Sequence, residues 1–135
     1  MTRPKPEIIV APGLAPPAGF SHAVVAPPGR TIYLGGQTAQ APDGSIQGTT
    51  MVEQFDVAAR NLVDALRAAG GEPDDIVSLQ VFVTNLAAYR LSMRALGPVW
   101  RRHFGRRYPA MALIGVTQLL DPAALVELVG VAVIA

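Results

Sequence analysis

The sequence predicts an α+β fold, with two helices on one face of a sheet and the opposite sheet face left open. Three observations predict it. Two helical segments, over 51–69 and 86–104, bracket a single strand-like run. Apolar, β-branched segments fall at 75–85, 111–119 and 125–134. Glycine and proline (13 and 12 residues) cluster before residue 48, where they punctuate short strands without forming a repeat. The order is β-β-β-α-β-α-β-β, which suits a two-layer α+β domain.

Residues 1–20 read as a Pro-rich lead-in, with a short strand at Ile8–Ala11, to a single domain over 21–135. Ala23–Ala26 and Thr31–Leu34 are expected to pair as a hairpin around Pro27-Pro28-Gly29. A polar loop over 41–50 holds the turn Pro42-Asp43-Gly44. Thr50 and Glu53 are spaced as a capping box, and apolar residues at 52, 55, 59, 62, 63 and 66 follow on one helical face. Gly70-Gly71 supplies the stop. Asn85 caps the second helix, in which Gly97-Pro98 is expected to produce a kink or a break. The last two strands, Met111–Leu119 and Leu125–Ile134, are close enough for a hairpin through Leu119–Ala124. The final strand is apolar on both faces apart from Glu127, so it needs cover on both sides. The helices cover one face and a second copy of the chain is the natural cover for the other, so a homo-oligomer is expected.

The bulk numbers narrow the function classes. At 135 residues the chain is one domain, long enough to bury a core without staples. It has no cysteine, which removes disulfides, thiolate catalysis and Cys-ligated zinc. Eleven basic and ten acidic residues give a net charge of +1, too balanced for a strong polyelectrolyte binder. No apolar run approaches the ~20 residues of a membrane span, and the opening residues lack the apolar core of a signal peptide. A cytoplasmic protein without a membrane partner is expected.

Few residues stand out chemically. There is no P-loop, no GxGxxG after a strand, no HExxH and no GxSxG. The two histidines, His22 and His103, are too few to suggest a metal centre. His22 either lines a pocket or is a half-exposed hydrogen-bonder at a strand edge. Gly35 and Gly36 either let a ligand approach the main chain or mark a bulge. Arg101, Arg102, Arg106 and Arg107 form a basic run, yet cations also complement a helix C-terminus, and no interleaved aromatics accompany them. Nucleic acid is therefore disfavoured as a partner. Glu127 is the only charge after Asp121, inside an apolar strand, where a carboxylate is either a structural pair or a functional group.

In combination, "IYLGGQTAQAPDGSI", "QFDVAARNLVDALRAAGGEPDDIVSLQVFVTNLAAY", "YPAMALIGV" and "LVELVGVAVI" resemble the RidA/YjgF superfamily, also called the endoribonuclease L-PSP family. The resemblance runs from about Ser21 to the end. It implies a chorismate-mutase-like fold, a homotrimer whose open sheet faces form a central barrel, and small-molecule clefts between subunits. The best-known activity of that family is hydrolysis of 2-imino acids and enamines to 2-keto acids and ammonia, without a cofactor.

Residue by residue, this chain departs from the deaminase pattern. The arginine that follows "PA" in active relatives, and clamps the substrate carboxylate, is Met111 here. The water-positioning glutamate of the last strand is Val129, whereas the glutamate two residues before it is retained as Glu127. The pocket tyrosine aligns with His22, the serine before the retained Gly36 with Gly35, the helix-two asparagine with Met93, and the cysteine two residues beyond the arginine with Leu113. A thioether cannot neutralise a carboxylate. The expectation is a divergent member with a cleft for a small, uncharged ligand, lined by His22, Gly35, Gly36, Met93, Met111, Leu113 and Val129. If it is catalytic, it is a deaminase-like hydrolase of a C–N compound with His22 and Glu127 as the acid/base candidates. Otherwise it is a non-catalytic binder of an apolar metabolite.

Overall fold

The computed structural model describes residues 3–135. Its strands are β1 (Glu7–Ile9), β2 (Ala23–Val25), β3 (Arg30–Gln37), β4 (Ile76–Val83), β5 (Ala110–Gly115) and β6 (Val126–Ile134). Its long helices are α1 (Met51–Ala68) and α2 (Leu86–Phe104), and a 3-10 turn at Pro73–Asp75 leads into β4.

The expected local signals shape α1. The Thr50 hydroxyl accepts from the Glu53 main-chain N–H at 3.2 Å, and the Glu53 carboxylate accepts from the Thr50 N–H at 3.2 Å. At the other end Gly70 takes φ +93°, a conformation that favours glycine. There Gly71 N–H reaches Leu66 O and Gly70 N–H reaches Arg67 O, each at 3.0 Å, the two bonds of a Schellman motif. Between the caps, Phe55, Ala58, Ala59, Leu62, Val63 and Leu66 are buried and drive into the sheet.

Strand order is β3-β6-β4-β5, with β4–β5 parallel and the other pairs antiparallel. The α+β class therefore holds, as a mixed sheet. Strand alternation sends Leu34, Leu79, Val81, Val83, Val126, Leu128 and Ala132 into the helix-side core. The opposite face receives Tyr33, Phe82, Ile114, Val129 and Val131, with Thr31, Ser78, Gln80 and Glu127 among its polar members. Tyr33 is 81% exposed there, although a strand is a favourable place to bury an aromatic ring.

Two expected hairpins are not formed. β2 pairs with β1 in a separate two-stranded ribbon, and β3 pairs with β6. Pro27 and Pro28 lack main-chain donors, so the segment after β2 cannot continue a ladder. β3 instead has Ile32 and Leu34 to bury and takes the long partner that offers a core face. Likewise β5 and β6 are not neighbours, because β4 lies between them. The α2 crossover returns β5 parallel to β4, as a helical connection permits. β5 ends at Gly115, not 119, and the chain then passes over the end of β4. Val116 N–H bonds Val83 O at 2.9 Å, and Thr84 N–H bonds Leu125 O at 3.1 Å.

α2 also differs from expectation: it runs unbroken through Gly97-Pro98. Pro98 is exposed, so the carbonyl deprived of its helical donor faces solvent. The start of α2 is as expected, with Asn85 Oδ1 accepting from the Ala88 N–H at 3.0 Å. Its C-terminal turn is tied to α1 through Asp56, whose Oδ1 lies 2.5 Å from both Arg102 Nη2 and His103 Nε2. Burial pushes the Asp56 carboxyl up, but the His103 and Arg102 hydrogen bonds and charges together outweigh it and hold it below the ordinary carboxylate value. A depressed folded-state pKa stabilises the fold above the unfolded value and loses that contribution as pH falls through the folded one. The urea midpoint of Asp56→Asn is therefore expected below wild type at neutral pH, with the difference shrinking as pH falls below about 4. A difference independent of pH would place the effect elsewhere.

Candidate ligand cleft

A cleft of about 220 Å³ opens between α2 and the outer edge of β5. The two strand residues that line it, Met111 and Leu113, alternate onto the helix side of the sheet. From α2 come Tyr89, Met93, Leu96 and Trp100, spaced i, i+4, i+7, i+11 on one helical face. Phe55 of α1 closes the inner wall and Tyr108 the end nearest β5. The remaining wall is the segment Ala18-Gly19-Phe20.

That segment is held by its neighbours. Ser21 donates its main-chain N–H to Pro109 O at 3.0 Å and its hydroxyl to Tyr108 O, which fastens it along the entry to β5. His22 ties down the preceding loop: its Nδ1 accepts from the Ala11 N–H at 3.0 Å, and its Nε2 lies 2.8 Å from Ala15 O. The main-chain partners set the tautomer, with the proton on Nε2. Phe20 packs edge-on to His22 at 6.0 Å between ring centroids. Both ring nitrogens of His22 are thus engaged by the main chain, and this residue shapes the wall that carries Phe20.

The site candidates divide between two places. Met93, Met111 and Leu113 come together in the cleft. Gly36 and Glu127 meet on the opposite sheet face, where a Cβ at Gly36 would stand 2.4 Å from Glu127 Oε1, so the glycine leaves room for that carboxylate. Val129 is one step along the same face of β6. Gly35 faces open space. Within one chain the two groups lie on different faces of the sheet. The basic run is also divided: Arg102 binds Asp56 and Arg107 donates to Pro6 O, while Arg101 and Arg106 are exposed.

The electrostatics are those of an apolar site. No charged side chain lines the cleft. Burial raises the Tyr89 phenol, and the neighbouring Tyr108 adds to the effect, so Tyr89 stays neutral across the ordinary pH range. Trp100 is 7% exposed, stacks on Tyr108 at 5.3 Å and meets Phe104 at 4.4 Å. Its indole N–H is the one fully buried side-chain polar atom without a hydrogen-bond partner among the described residues, a defect that costs about 1–3 kcal/mol. Among the same residues no cluster of His, Asp and Glu has the makings of a metal site, and no helix is long and apolar enough to cross a membrane.

Sequence reasoning missed Phe20, Phe55, Tyr89, Leu96, Trp100 and Tyr108. A signal was present for three of them: Tyr89, Leu96 and Trp100 share a helical face with Met93. Nothing local in the sequence points Phe20 at the cleft, because the fold brings it there through Ser21 and β5.

An α+β sheet with two helices on one face and an apolar cleft at the β5 edge defines the class of this protein. The chain belongs to the Endoribonuclease L-PSP family, whose model matches residues 10–134. Among solved structures it is similar to a Rid family protein, YyfB from Yersinia pestis, described as of unknown function. That likeness has 31% identity and a TM-score of 0.84 over 96% of this chain and 98% of the other. It is also similar to a putative endoribonuclease from Thermotoga maritima, with 28% identity and a TM-score of 0.67 over 90% and 88% of the two chains. A member of the YjgF/YER057c/UK114 family from Mycobacterium tuberculosis shows 29% identity and a TM-score of 0.63 over 85% and 86%. No curated protein matches the chain.

Proposed function

We propose that this protein binds a small, uncharged and largely apolar molecule in the cleft beside β5, as a cytoplasmic homotrimer in which a second subunit completes the site. The observation that carries the reading is Met111. It stands in the cleft where the resemblance calls for a carboxylate-clamping arginine, and no cation elsewhere in the lining replaces it. An imino-acid carboxylate buried there would lose its hydration without gaining a partner, at a cost of several kcal/mol. The open sheet face supports the trimer. In a single chain Tyr33 and Ile114 are exposed and Val129 and Val131 only half-buried, and a sheet with two apolar faces wants cover on both.

Purified protein is therefore expected to show no turnover of 2-iminobutanoate above the uncatalysed rate, in an assay coupled to 2-keto acid formation. Turnover at rates ordinary for the deaminases would overturn the proposal.

A second reading keeps catalysis: hydrolysis of an uncharged imine- or enamine-like compound. Glu127 favours it. The carboxylate lies against Gly36 on the sheet face that a trimer would cover, and it has no ion pair among the described residues. A neighbouring subunit could then present it to a bound ligand. His22 would not be its partner in the reaction, since both ring nitrogens already serve the main chain.

A further inference from the structure

We propose that the cleft selects a planar, uncharged ring compound bearing a hydrogen-bond acceptor, and that the Trp100 indole N–H reads the acceptor. The inference rests on the cleft being the ligand site. It adds the ligand's chemical class and the group that recognises it.

Shape and charge give the first half. Five aromatic side chains, Phe20, Phe55, Tyr89, Trp100 and Tyr108, line about 220 Å³ together with Met93, Met111 and two leucines. Ring faces and edges favour a flat aromatic guest, and thioethers fill the space around one without demanding a fixed shape. The volume is below that of a drug-sized pocket, which suits one or two rings. No lining charge is available to balance an ionic group, so an anion or a cation would be desolvated for nothing.

Trp100 gives the second half. Its ring is packed between Tyr108 and Phe104, a role that phenylalanine would fill without burying a donor. The indole N–H is buried and unpartnered, on a residue that lines the cleft. An unpaired buried donor is a standing cost that an acceptor on the ligand would remove. The atom is out of reach of solvent, so a ligand acceptor meets it only once a neighbouring side chain moves aside. Among the large side chains of the lining, Met93, Leu113 and Phe20 are exposed, at 61%, 39% and 38%, and Phe20 follows Gly19, whose φ is +75°. The neutral phenol of Tyr89 adds no competing charge.

Trp100 is the sole tryptophan, so its indole N–H gives a single side-chain peak in a ¹⁵N-resolved NMR spectrum of the full chain. Three probes are titrated: acetophenone (ring with a carbonyl), ethylbenzene (the same ring without an acceptor) and benzoate (an anion). Acetophenone is expected to bind about tenfold more tightly than ethylbenzene, or about 1.4 kcal/mol. It is also expected to move the indole peak downfield, while benzoate does not bind. Trp100→Phe should still bind ethylbenzene and lose the preference for acetophenone. Equal binding of the two neutral rings with no downfield movement would overturn the reading of Trp100 while leaving the cleft as a ligand site. Tight benzoate binding would overturn the exclusion of charge. If neither neutral ring binds, the cleft itself is not the site and both readings fail. The wild-type spectrum decides between these outcomes even if the variant folds poorly.

Discussion

Gln54→Leu is expected to destabilise the fold by about 2–3 kcal/mol, well above the ~1 kcal/mol of a typical substitution. Gln54 is 1% exposed on α1, among apolar neighbours that would accept a leucine of similar size. Its amide does what leucine cannot. Nε2 donates to Gly48 O at 3.1 Å and to Ala123 O at 2.9 Å, and Oε1 accepts from the Leu125 N–H at 2.7 Å. One side chain thus fastens both the loop before α1 and the connection that delivers β6. Gly48 and Ala123 are exposed enough for water to replace the lost donor, whereas the Leu125 N–H is half-buried and has no such recourse. Gln54→Glu is the sharper control. It keeps the acceptor for Leu125 but loses both donations, and sets a buried negative charge against two carbonyl oxygens. It should be worse than leucine at neutral pH and recover partly in acid, where the neutral carboxyl can donate again. Urea denaturation followed by circular dichroism gives both values. A loss below about 0.5 kcal/mol for the leucine variant would show that the 123–125 connection is held by other contacts.

Gln54 also marks a boundary in what the sequence could reveal. Caps, helix faces and strand identities are local, and they were legible: Thr50 with Glu53, Asn85, and the Gly70-Gly71 stop behave as their residue types require. Strand partners are not local. Proximity in sequence suggested that 23–26 pairs with 31–34, and that β5 pairs with β6, yet neither hairpin forms. The long α2 crossover and the 116–125 connection decide which edges meet, and no periodicity within a strand encodes that choice. Pro98 misled for a related reason. Its cost is real only where the freed carbonyl cannot reach water, and exposure is a tertiary property. The cleft was half legible. Met93, Met111 and Leu113 were found by resemblance, and the structure gathers them in one lining. Trp100 and Tyr89 read as ordinary core aromatics until the β5 edge is set beside α2. For His22 the sequence left two readings open, a pocket or acid/base residue and a half-exposed hydrogen-bonder. Its use by Ala11 and Ala15 depends on a loop whose course no motif announces.

If the proposed homotrimer closes on the open sheet face, Val131→Asp is expected to leave the chain folded while reducing its solution mass from that of three chains to that of one. Val131 lies mid-strand in β6, paired with Tyr33 of β3 on one side and Ser78 of β4 on the other, and its side chain points to the open face. In a lone chain that position is only half-buried, so an aspartate keeps most of its hydration and the helix-side core is untouched. In a trimer closed on these faces, three carboxylates would be buried against apolar surface with no cation on the face to balance them. The penalty is several kcal/mol per charge. Sedimentation velocity reads the mass and circular dichroism the fold, and a folded, still trimeric variant would move the interface elsewhere. The same variant tests whether the two groups of candidate residues belong together. Met93, Met111 and Leu113 lie on the helix side, while Gly36, Glu127 and Val129 lie on the open face, so only assembly could bring one group against the other. If the cleft is completed by a second subunit, monomeric Val131→Asp should bind acetophenone at least about tenfold more weakly than wild type. Undiminished binding by the monomer would confine the site to α2, β5 and the Phe20 segment, and would leave Glu127 to the interface alone.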